Sequence, residues 1–204
     1  GGYVAPFVRM LGEAVPAYDF SIPGVTSMSA DLHKYGYAAK GAPTVFYRDK
    51  ALKEYQGFHF DDWPSGHMYT PTMAGTRPGG AIAAAWAVMN YLGVAGYCTR
   101  AKAIVDTRRR VEAGVRAMGL TVFGDPRLSL ITFGAADLDI LAVGDALYRA
   151  GWVSSRTSAP PGIHLMISPA HANSIDEYLG VLGALVGRAR RGELGAGATD
   201  IRYG

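Results

Sequence analysis

The stretch between Pro78 and Gly119 constrains the fold more than any other part of the sequence. Its first part, GGAIAAAWAVMNYLG over residues 79–93, is small and apolar on nearly every face, which predicts a helix buried among neighbouring elements. That helix is under about 18 residues long before Gly93 breaks it, and it holds Ala rather than Leu, so we expect burial in protein rather than a membrane span. A second helix follows over roughly residues 95–118, with apolar residues on one side and Arg and Lys on the other, and Gly119 ends it.

The segments on either side of these helices are short and differ in texture. Downstream, the pattern predicts the order β-β-α-β-β-α and hence a small α+β domain with an antiparallel sheet; its strands lie at 120–123, 128–133, 152–154 and 163–167, and its helices at 138–150 and 174–191. Upstream, the first 30 residues carry turn signals, and residues 25–29 and 43–48 are predicted strands. Residues 56–80 are rich in Gly, Pro, His and aromatic residues without a period, which predicts a long functional loop. We expect the Gly/Ala-rich tail after residue 191 to be frayed.

Composition excludes several classes of protein. Apolar residues make up 49% and charged residues 18%, which is typical of a globular chain and not of a disordered one. The net charge of +3 is too small to indicate a nucleic-acid partner. The single cysteine, Cys98, excludes an internal disulfide and a zinc site built from several cysteines. His59 and His67 flank Asp61 and Asp62 in the long loop, but nothing in that pattern fixes a metal geometry, and we predict no metal.

Residues 27–41, SMSADLHKYGYAAKG, hold the most informative arrangement of side chains. Lys34 follows a histidine directly, after a Ser-rich β-prone run, and Lys40 stands before Gly41. A bare His-Lys pair is most often a solvated surface feature. Apolar and aromatic neighbours in the sequence nevertheless predict that the Lys34 amine is shielded from solvent. Such burial lowers the pKa of a lysine and so favours its neutral form. A neutral amine is what Schiff-base chemistry needs.

A second stretch, YTPTMAGTRPGG over residues 69–80, leads into the first helix. Thr76 is the predicted N-cap, with Arg77 and Pro78 in the first turn. The free N–H groups and the dipole of such a helix suit an anion, although an ordinary capped helix start accounts for the same residues. Arg77 suits a phosphate or a structural carboxylate equally well. The stretch is not a P-loop, since the G-x-x-x-x-G-K-[ST] pattern is absent from the sequence.

Together the two stretches resemble the sphingosine-1-phosphate lyase family, pyridoxal 5′-phosphate enzymes of the aspartate aminotransferase fold (fold type I) within the group II decarboxylase superfamily. The cofactor-lysine segment reads Ser-x-Ser-x-Asp-x-His-Lys-Tyr-Gly-Tyr-x-x-Lys-Gly, and the second motif is similar to Ser-Pro-Thr-x-Ala-Gly-Ser-Arg-Pro-Gly-Gly. The spacing between them fits, as do Trp63, Phe-Gly-Asp-Pro at 123–126 and Pro-Pro-x-Ile-His at 160–164. The resemblance implies an α/β fold in two parts. Residues 1–97 would end the large three-layer α/β domain that binds the cofactor, including the start of a connecting helix, and residues 98–204 would form the rest of that helix and a small α+β domain.

The resemblance also implies roles for individual residues. Lys34 would hold pyridoxal 5′-phosphate and later move protons, and His33 would contact the cofactor phosphate. Lys40 would act at the phosphate of the substrate or in proton transfer, although a surface role is equally plausible from the residue alone. Leu32 and Ala39 depart from the Thr and Pro that the relatives tend to have, which loosens any conclusion about the exact substrate.

Two further sets of contacts follow from the same resemblance. Gly75 and Thr76 would reach the cofactor phosphate from the other subunit of a homodimer with shared active sites, with Thr76 in place of the family's Ser. Tyr35 and Arg77 are candidates at the substrate, and Tyr35 packs equally well in the fold.

The implied reaction is the retro-aldol cleavage of a phosphorylated long-chain amino alcohol to a long-chain aldehyde and phosphoethanolamine. An amino-acid decarboxylase on the same scaffold and a non-catalytic partial chain acting only in dimerisation are the alternatives. In the family, an Asp that pairs with the pyridine nitrogen lies just before the glycines that match Gly1 and Gly2. We therefore expect the chain to be the C-terminal half of such an enzyme, cytoplasmic and without a membrane span. We also expect it to bind the cofactor poorly unless its N-terminal half is supplied separately.

Overall fold

The computed structural model describes residues 2–197. They form two compact units, the first ending at Tyr97 and the second beginning at Cys98. Gly1 and residues 198–204 lie outside the described residues, and with them most of the predicted Gly/Ala tail. The described part of that tail is anchored, since the Gly197 N–H donates to the Asp139 carboxylate at 2.9 Å.

The first unit contains one short helix, two small sheets and the start of a long helix. Its elements are α1 (Ala5–Met10), β1 (Ser27–Asp31), β2 (Pro43–Tyr47), a 3₁₀ turn (Lys50–Gln56), β3 (Phe58–Phe60), β4 (Met68–Thr70) and the first part of α2 (Gly79–Ala117). Strand β1 pairs antiparallel with β2, from Ser27 opposite Tyr47 to Asp31 opposite Pro43. Both strands confirm the sequence prediction, whereas α1 was not predicted.

The predicted loop over residues 56–80 contains a hairpin. Strands β3 and β4 pair antiparallel, with His59 opposite Tyr69, and the prediction of a stretch without regular structure is wrong there. Each strand has only three residues, which is too short to show a period of two. Most of the side chains are exposed, so no buried face reveals the strands in the sequence either.

Helix α2 is broken where the sequence predicts. Gly93 has non-helical angles, φ 54° and ψ −175°, inside an otherwise helical run. Gly119, with φ 75°, follows the end of the helix in the left-handed conformation typical of a C-terminal glycine. The residues predicted on the apolar side of the second half are all buried: Ala101, Ile104, Val105, Val111 and Val115.

The first half of α2 differs from its prediction. We expected burial on nearly every face, but Trp86 is 69% and Tyr91 87% exposed, and Ile82 and Met89 are exposed as well. The prediction of burial is wrong for the described residues, because these supply no element that covers this face. Length and composition alone would let α2 cross a membrane, and 11% of its most apolar window is buried. The uninterrupted part before Gly93 is shorter than the roughly 20 residues that a crossing needs.

The second unit has the predicted β-β-α-β-β-α order. After α2 come β5 (Thr121–Val122), β6 (Leu130–Gly134), α3 (Ile140–Arg149), β7 (Ser155–Ser158), β8 (Pro161–Met166), a 3₁₀ turn (Pro169–Asn173) and α4 (Ile175–Arg190). The sheet is antiparallel throughout, with strand order β5-β6-β8-β7. Its core is apolar and fully buried, and includes Phe133, Leu147, Ile163 and Leu182.

One strand of this unit is displaced from its prediction. Residues 152–154 are not a strand; β7 begins at Ser155. The reason lies at the end of α3, where the Trp152 N–H donates back to the Leu147 carbonyl at 2.9 Å and Gly151 takes a φ of 88°. Trp152 therefore belongs to the helix cap, and the chain becomes extended only after it.

Candidate functional site

Lys34 lies in a tight turn directly after β1. The Lys34 N–H donates to the Asp31 carbonyl at 3.2 Å, and the Tyr37 N–H donates to the Lys34 carbonyl at 3.1 Å. A third bond, from the Ala38 N–H to the Leu32 carbonyl at 3.0 Å, closes the segment. The end of a strand and two overlapping turns thus fix the backbone that carries the predicted cofactor lysine.

The Lys34 amine is exposed and paired with a carboxylate. Its Nζ lies 2.7 Å from Asp31 Oδ2, and the side chain is 64% exposed. The hydrogen bond from Lys34, together with the charges of Lys34 and His33, holds the pKa of Asp31 below its ordinary value. The expectation of a shielded Lys34 is therefore wrong for the described residues, since its apolar sequence neighbours do not cover the amine. A carboxylate at this distance favours the ammonium form of the lysine.

His33 carries a buried polar atom without a partner. Its Nδ1 makes no hydrogen bond with any described residue, and a buried, unsatisfied nitrogen is costly unless something pairs with it. A ring N–H is a suitable donor to a phosphate oxygen. This orphaned atom, next in sequence to an accessible lysine, fits the pairing of an amine with a phosphate that pyridoxal 5′-phosphate requires.

The turn that carries Lys40 packs against the start of α2. Gly41 has a φ of 114°, and a Cβ placed there would stand 3.0 Å from Ala81 Cβ and 3.4 Å from Pro78 Cγ. The structure therefore brings Lys40, whose side chain is exposed, close to the first turn of α2. A cation beside a helix N-terminus is a favourable arrangement for an anionic group.

Gly75, Thr76 and Arg77 form an exposed loop before α2. The Gly75 N–H donates to the Thr72 carbonyl at 3.1 Å, and Arg77 Nη1 donates to the Thr72 hydroxyl at 2.6 Å. Helix α2 begins only at Gly79, so the prediction of Thr76 as N-cap is wrong. The cause is Pro78, whose ring disfavours helical angles at the residue before it. Gly75 has a φ of 61°, and no atom lies within 4 Å of the place where its Cβ would stand.

The remaining candidates divide between the two units. Tyr35 is half-buried beside Lys34. In the β3–β4 hairpin, His67 Nδ1 lies 2.6 Å from Asp61 Oδ1, and the His59 ring centroid lies 5.5 Å from that of His67. The second unit has a cavity of about 340 Å³, lined among others by Trp152, His164, His171 and Tyr178, which the sequence analysis did not predict.

Sequence reasoning also missed Tyr97. Its hydroxyl donates to the Gly36 carbonyl at 2.8 Å in a buried hydrogen bond that spans 61 residues of sequence. The sequence shows only an aromatic residue in a helix. Nothing local indicates that its polar end reaches the lysine turn.

Several known proteins that are similar to this chain are sphingosine-1-phosphate lyases. A sphingosine-1-phosphate lyase of Arabidopsis thaliana is 41% identical over 180 residues, which is 88% of this chain and 33% of that protein. The solved structure of the sphingosine-1-phosphate lyase of Burkholderia pseudomallei superposes with a TM-score of 0.89 at 37% identity, covering 94% of this chain and 44% of that one. Over most of its length, this chain is homologous to the sphingosine-1-phosphate lyases.

The match covers most of this chain but only part of each lyase. The chain spans about a third of the length of the curated lyases that it matches. A glutamate decarboxylase of Lactobacillus brevis superposes with a TM-score of 0.72 at 17% identity, covering 94% of this chain and 46% of that one, which shows a shared fold alone. The fold is thus the C-terminal part of the fold type I architecture, as predicted. No family model matches the chain.

Proposed function

We propose that this chain is part of a pyridoxal 5′-phosphate-dependent carbon–carbon lyase. In this proposal the enzyme cleaves a phosphorylated long-chain amino alcohol to a long-chain aldehyde and phosphoethanolamine. The observation that carries it is the Lys34 turn, where an accessible amine follows a histidine with an orphaned buried nitrogen. Homology to sphingosine-1-phosphate lyases supplies the class of substrate.

The residues of the first unit divide the work. Lys34 would hold the cofactor through its amine, and His33 would contact the cofactor phosphate. When bound, the cofactor supplies an electron sink for the bond that breaks. Asp31 holds the Lys34 ammonium at the end of β1 at 2.7 Å, and once the ammonium has given up its proton, the neutral amine can take a proton up and return it.

The phosphate of the substrate is assigned to the second cationic turn. Gly41, the residue after Lys40, packs against the start of α2, where helix N–H groups and the lysine charge would act on the same anion. Arg77 and Tyr35 are assigned to the same substrate, and Gly75 and Thr76 to the cofactor phosphate of the opposite subunit.

Two alternatives carry less support. The substrate of an amino-acid decarboxylase carries no phosphate, so such an enzyme needs no site for one. The likeness to glutamate decarboxylase extends to the fold alone. A non-catalytic chain that acts only in dimerisation leaves the orphaned His33 nitrogen unexplained.

The remaining assignments concern assembly and location. We propose a homodimer, supported by the exposed apolar face of the first half of α2. We further propose that residues 1–97 end the cofactor-binding domain and that residues 98–204 form the connecting helix and the small domain. The proposed location is the cytoplasm.

Cofactor binding is tested by visible absorbance. The chain and its Lys34→Ala variant are titrated with pyridoxal 5′-phosphate, with and without an added N-terminal half of a homologous lyase, and Lys50→Ala serves as the control for an exposed lysine elsewhere. In the presence of the N-terminal half, we expect an imine band in the chain and in Lys50→Ala, and its loss in Lys34→Ala; without that half we expect the band to be weak. An imine band that persists in Lys34→Ala overturns the assignment of Lys34.

Substrate class is tested with the same complemented protein. Sphingoid-base phosphates are assayed for aldehyde release, and glutamate and aromatic amino acids for release of carbon dioxide. Aldehyde release supports the lyase, whereas carbon dioxide release without aldehyde establishes the decarboxylase.

A further inference from the structure

We propose that Tyr97 is a positioning residue that holds the turn carrying Lys34. The effect on the lysine amine rests on the function proposed above, whereas the mechanical part of the inference does not. Tyr97 is 4% exposed, and its hydroxyl donates to the Gly36 carbonyl at 2.8 Å. A buried carbonyl needs a partner, and this bond supplies one from a distant helix.

The ring of Tyr97 is itself held in place. Phe7 of α1 stacks on it with ring centroids 4.7 Å apart and planes 10° apart, and the Tyr37 ring lies 6.3 Å away. Aromatic packing of this kind fixes the direction in which the hydroxyl points. The position of the Gly36 carbonyl is therefore set by α1 and α2 together, and not by the turn alone.

The Lys34 turn transmits that constraint because it is stiff. A Cβ at Gly36 would stand 2.5 Å from the Leu32 carbonyl oxygen, so the backbone there lies in close contact with the start of the turn. Tyr37, the next residue, has a φ of 59°, which is unfavourable for a residue with a side chain. Such a conformation persists only where the surroundings enforce it, and the bond of the Tyr97 hydroxyl to the neighbouring Gly36 carbonyl is one of the contacts that do so.

Loss of the Tyr97 contact would affect the reaction by displacing Lys34 from its reactive position. Lys34 lies two residues before Gly36, and its carbonyl accepts the Tyr37 N–H. Loss of the Tyr97 hydroxyl lets this segment shift, and a displacement of about 1 Å at a reacting group costs on the order of 100-fold in rate. Tyr97 thus acts through the turn and does not itself touch the reacting atoms.

The test compares Tyr97→Phe with Tyr91→Phe. Both residues lie in α2, but Tyr91 is 87% exposed and serves as the matched control. The first measurement is hydrogen exchange of the amides of Lys34, Tyr37 and Ala38 in the 204-residue chain. We expect exchange there to rise roughly tenfold in Tyr97→Phe, with unchanged exchange in the second unit and no change in Tyr91→Phe.

The second measurement follows the amine itself. The chain, complemented with the N-terminal half of a homologous lyase, is mixed with pyridoxal 5′-phosphate and reduced with borohydride, and labelled Lys34 is counted against labelled Lys50 by peptide mapping. We expect the ratio of Lys34 to Lys50 labelling to fall about tenfold in Tyr97→Phe. We also expect a change in the pH at which the visible imine band reaches half its intensity. A general loss of stability does not produce such a change.

The outcomes separate this inference from the proposed function. If Lys34 of the complemented wild type is labelled no faster than Lys50, the proposed function fails, and the exchange experiment alone decides the role of Tyr97. If exchange in Tyr97→Phe rises equally across both units, or not at all at residues 34–38, Tyr97 does not position the turn and the inference is wrong.

Discussion

Gly41→Ala is the substitution that most directly probes how Lys40 is placed. Gly41 has a φ of 114°, and an added Cβ would stand 3.0 Å from Ala81 Cβ and 3.4 Å from Pro78 Cγ. A residue with a side chain in such a conformation costs about 1–3 kcal/mol. The contact with Ala81 is also closer than the ordinary 3.5–4.0 Å between carbon atoms, so the turn must move away from α2 or compress against it.

A second glycine separates these two costs. Gly24 has a φ of 86°, and no atom lies within 4 Å of its Cβ position. Gly24→Ala therefore carries the conformational cost without the contact with α2. We expect both variants to lose about 1–3 kcal/mol of unfolding free energy in urea. Only Gly41→Ala should also weaken the binding of a sphingoid-base phosphate, by about tenfold, which corresponds to 1.4 kcal/mol.

The assay is a titration at constant ionic strength, followed by fluorescence, on the complemented protein described above. Wild type, Gly24→Ala and Gly41→Ala are measured side by side. If Gly41→Ala binds the sphingoid-base phosphate as tightly as Gly24→Ala does, the packing of the Lys40 turn against α2 contributes nothing to anion binding. The assignment of Lys40 to a phosphate would then be refuted, whatever the loss of stability.

Three further outcomes follow from individual contacts. Lys34→Ala should raise the pKa of Asp31 towards its ordinary value, because the main cause of its lowering is lost. A carboxyl whose pKa is lowered in the folded state stabilises the fold above its unfolded pKa, and this contribution is lost as the pH falls, so the variant should lose that pH dependence of stability. An NMR titration of the Asp31 carboxyl that shows no change would contradict the contact. Burial raises the pKa of Tyr178 in the folded state. The stability that the neutral hydroxyl provides is therefore present below about pH 10 and is lost as the pH rises towards the pKa of the folded state. Because Phe cannot ionise, Tyr178→Phe should move the pH midpoint of alkaline unfolding upward. Gly180→Ala in α4 meets no atom within 4 Å and should add about 1 kcal/mol of unfolding free energy in urea, and a loss instead would show hidden crowding.

The sequence predicted the second unit well because its signals are local. The apolar side of the second half of α2 repeats at helical spacing, and Gly93 and Gly119, with φ of 54° and 75°, lie where the two halves of that helix end. The shift of β7 shows the limit of such signals. Trp152 is β-prone, but a hydrogen bond to Leu147 holds it in the cap of α3, and that bond is not visible in the sequence.

The candidate site was predicted by residue type, whereas its geometry was not. Lys34, His33 and Lys40 stand out through their motif, yet the exposure of the Lys34 amine depends on what lies above it in space. The neighbours of a lysine in sequence do not determine that. Tyr97 was missed for the same reason, because its partner Gly36 lies 61 residues away.

The uncovered apolar face of α2 bears on how the stability of this chain depends on protein concentration. If a second copy covers Trp86 and Ile82, the folded state is a dimer, and its population depends on how much protein is present. Each tenfold dilution then removes about 1.4 kcal/mol from the dimer relative to its separated chains. The melting temperature of a sample becomes a property of its concentration as well as of its sequence. For such a dimer, preparations of one and the same chain that are measured at different dilutions would melt at different temperatures.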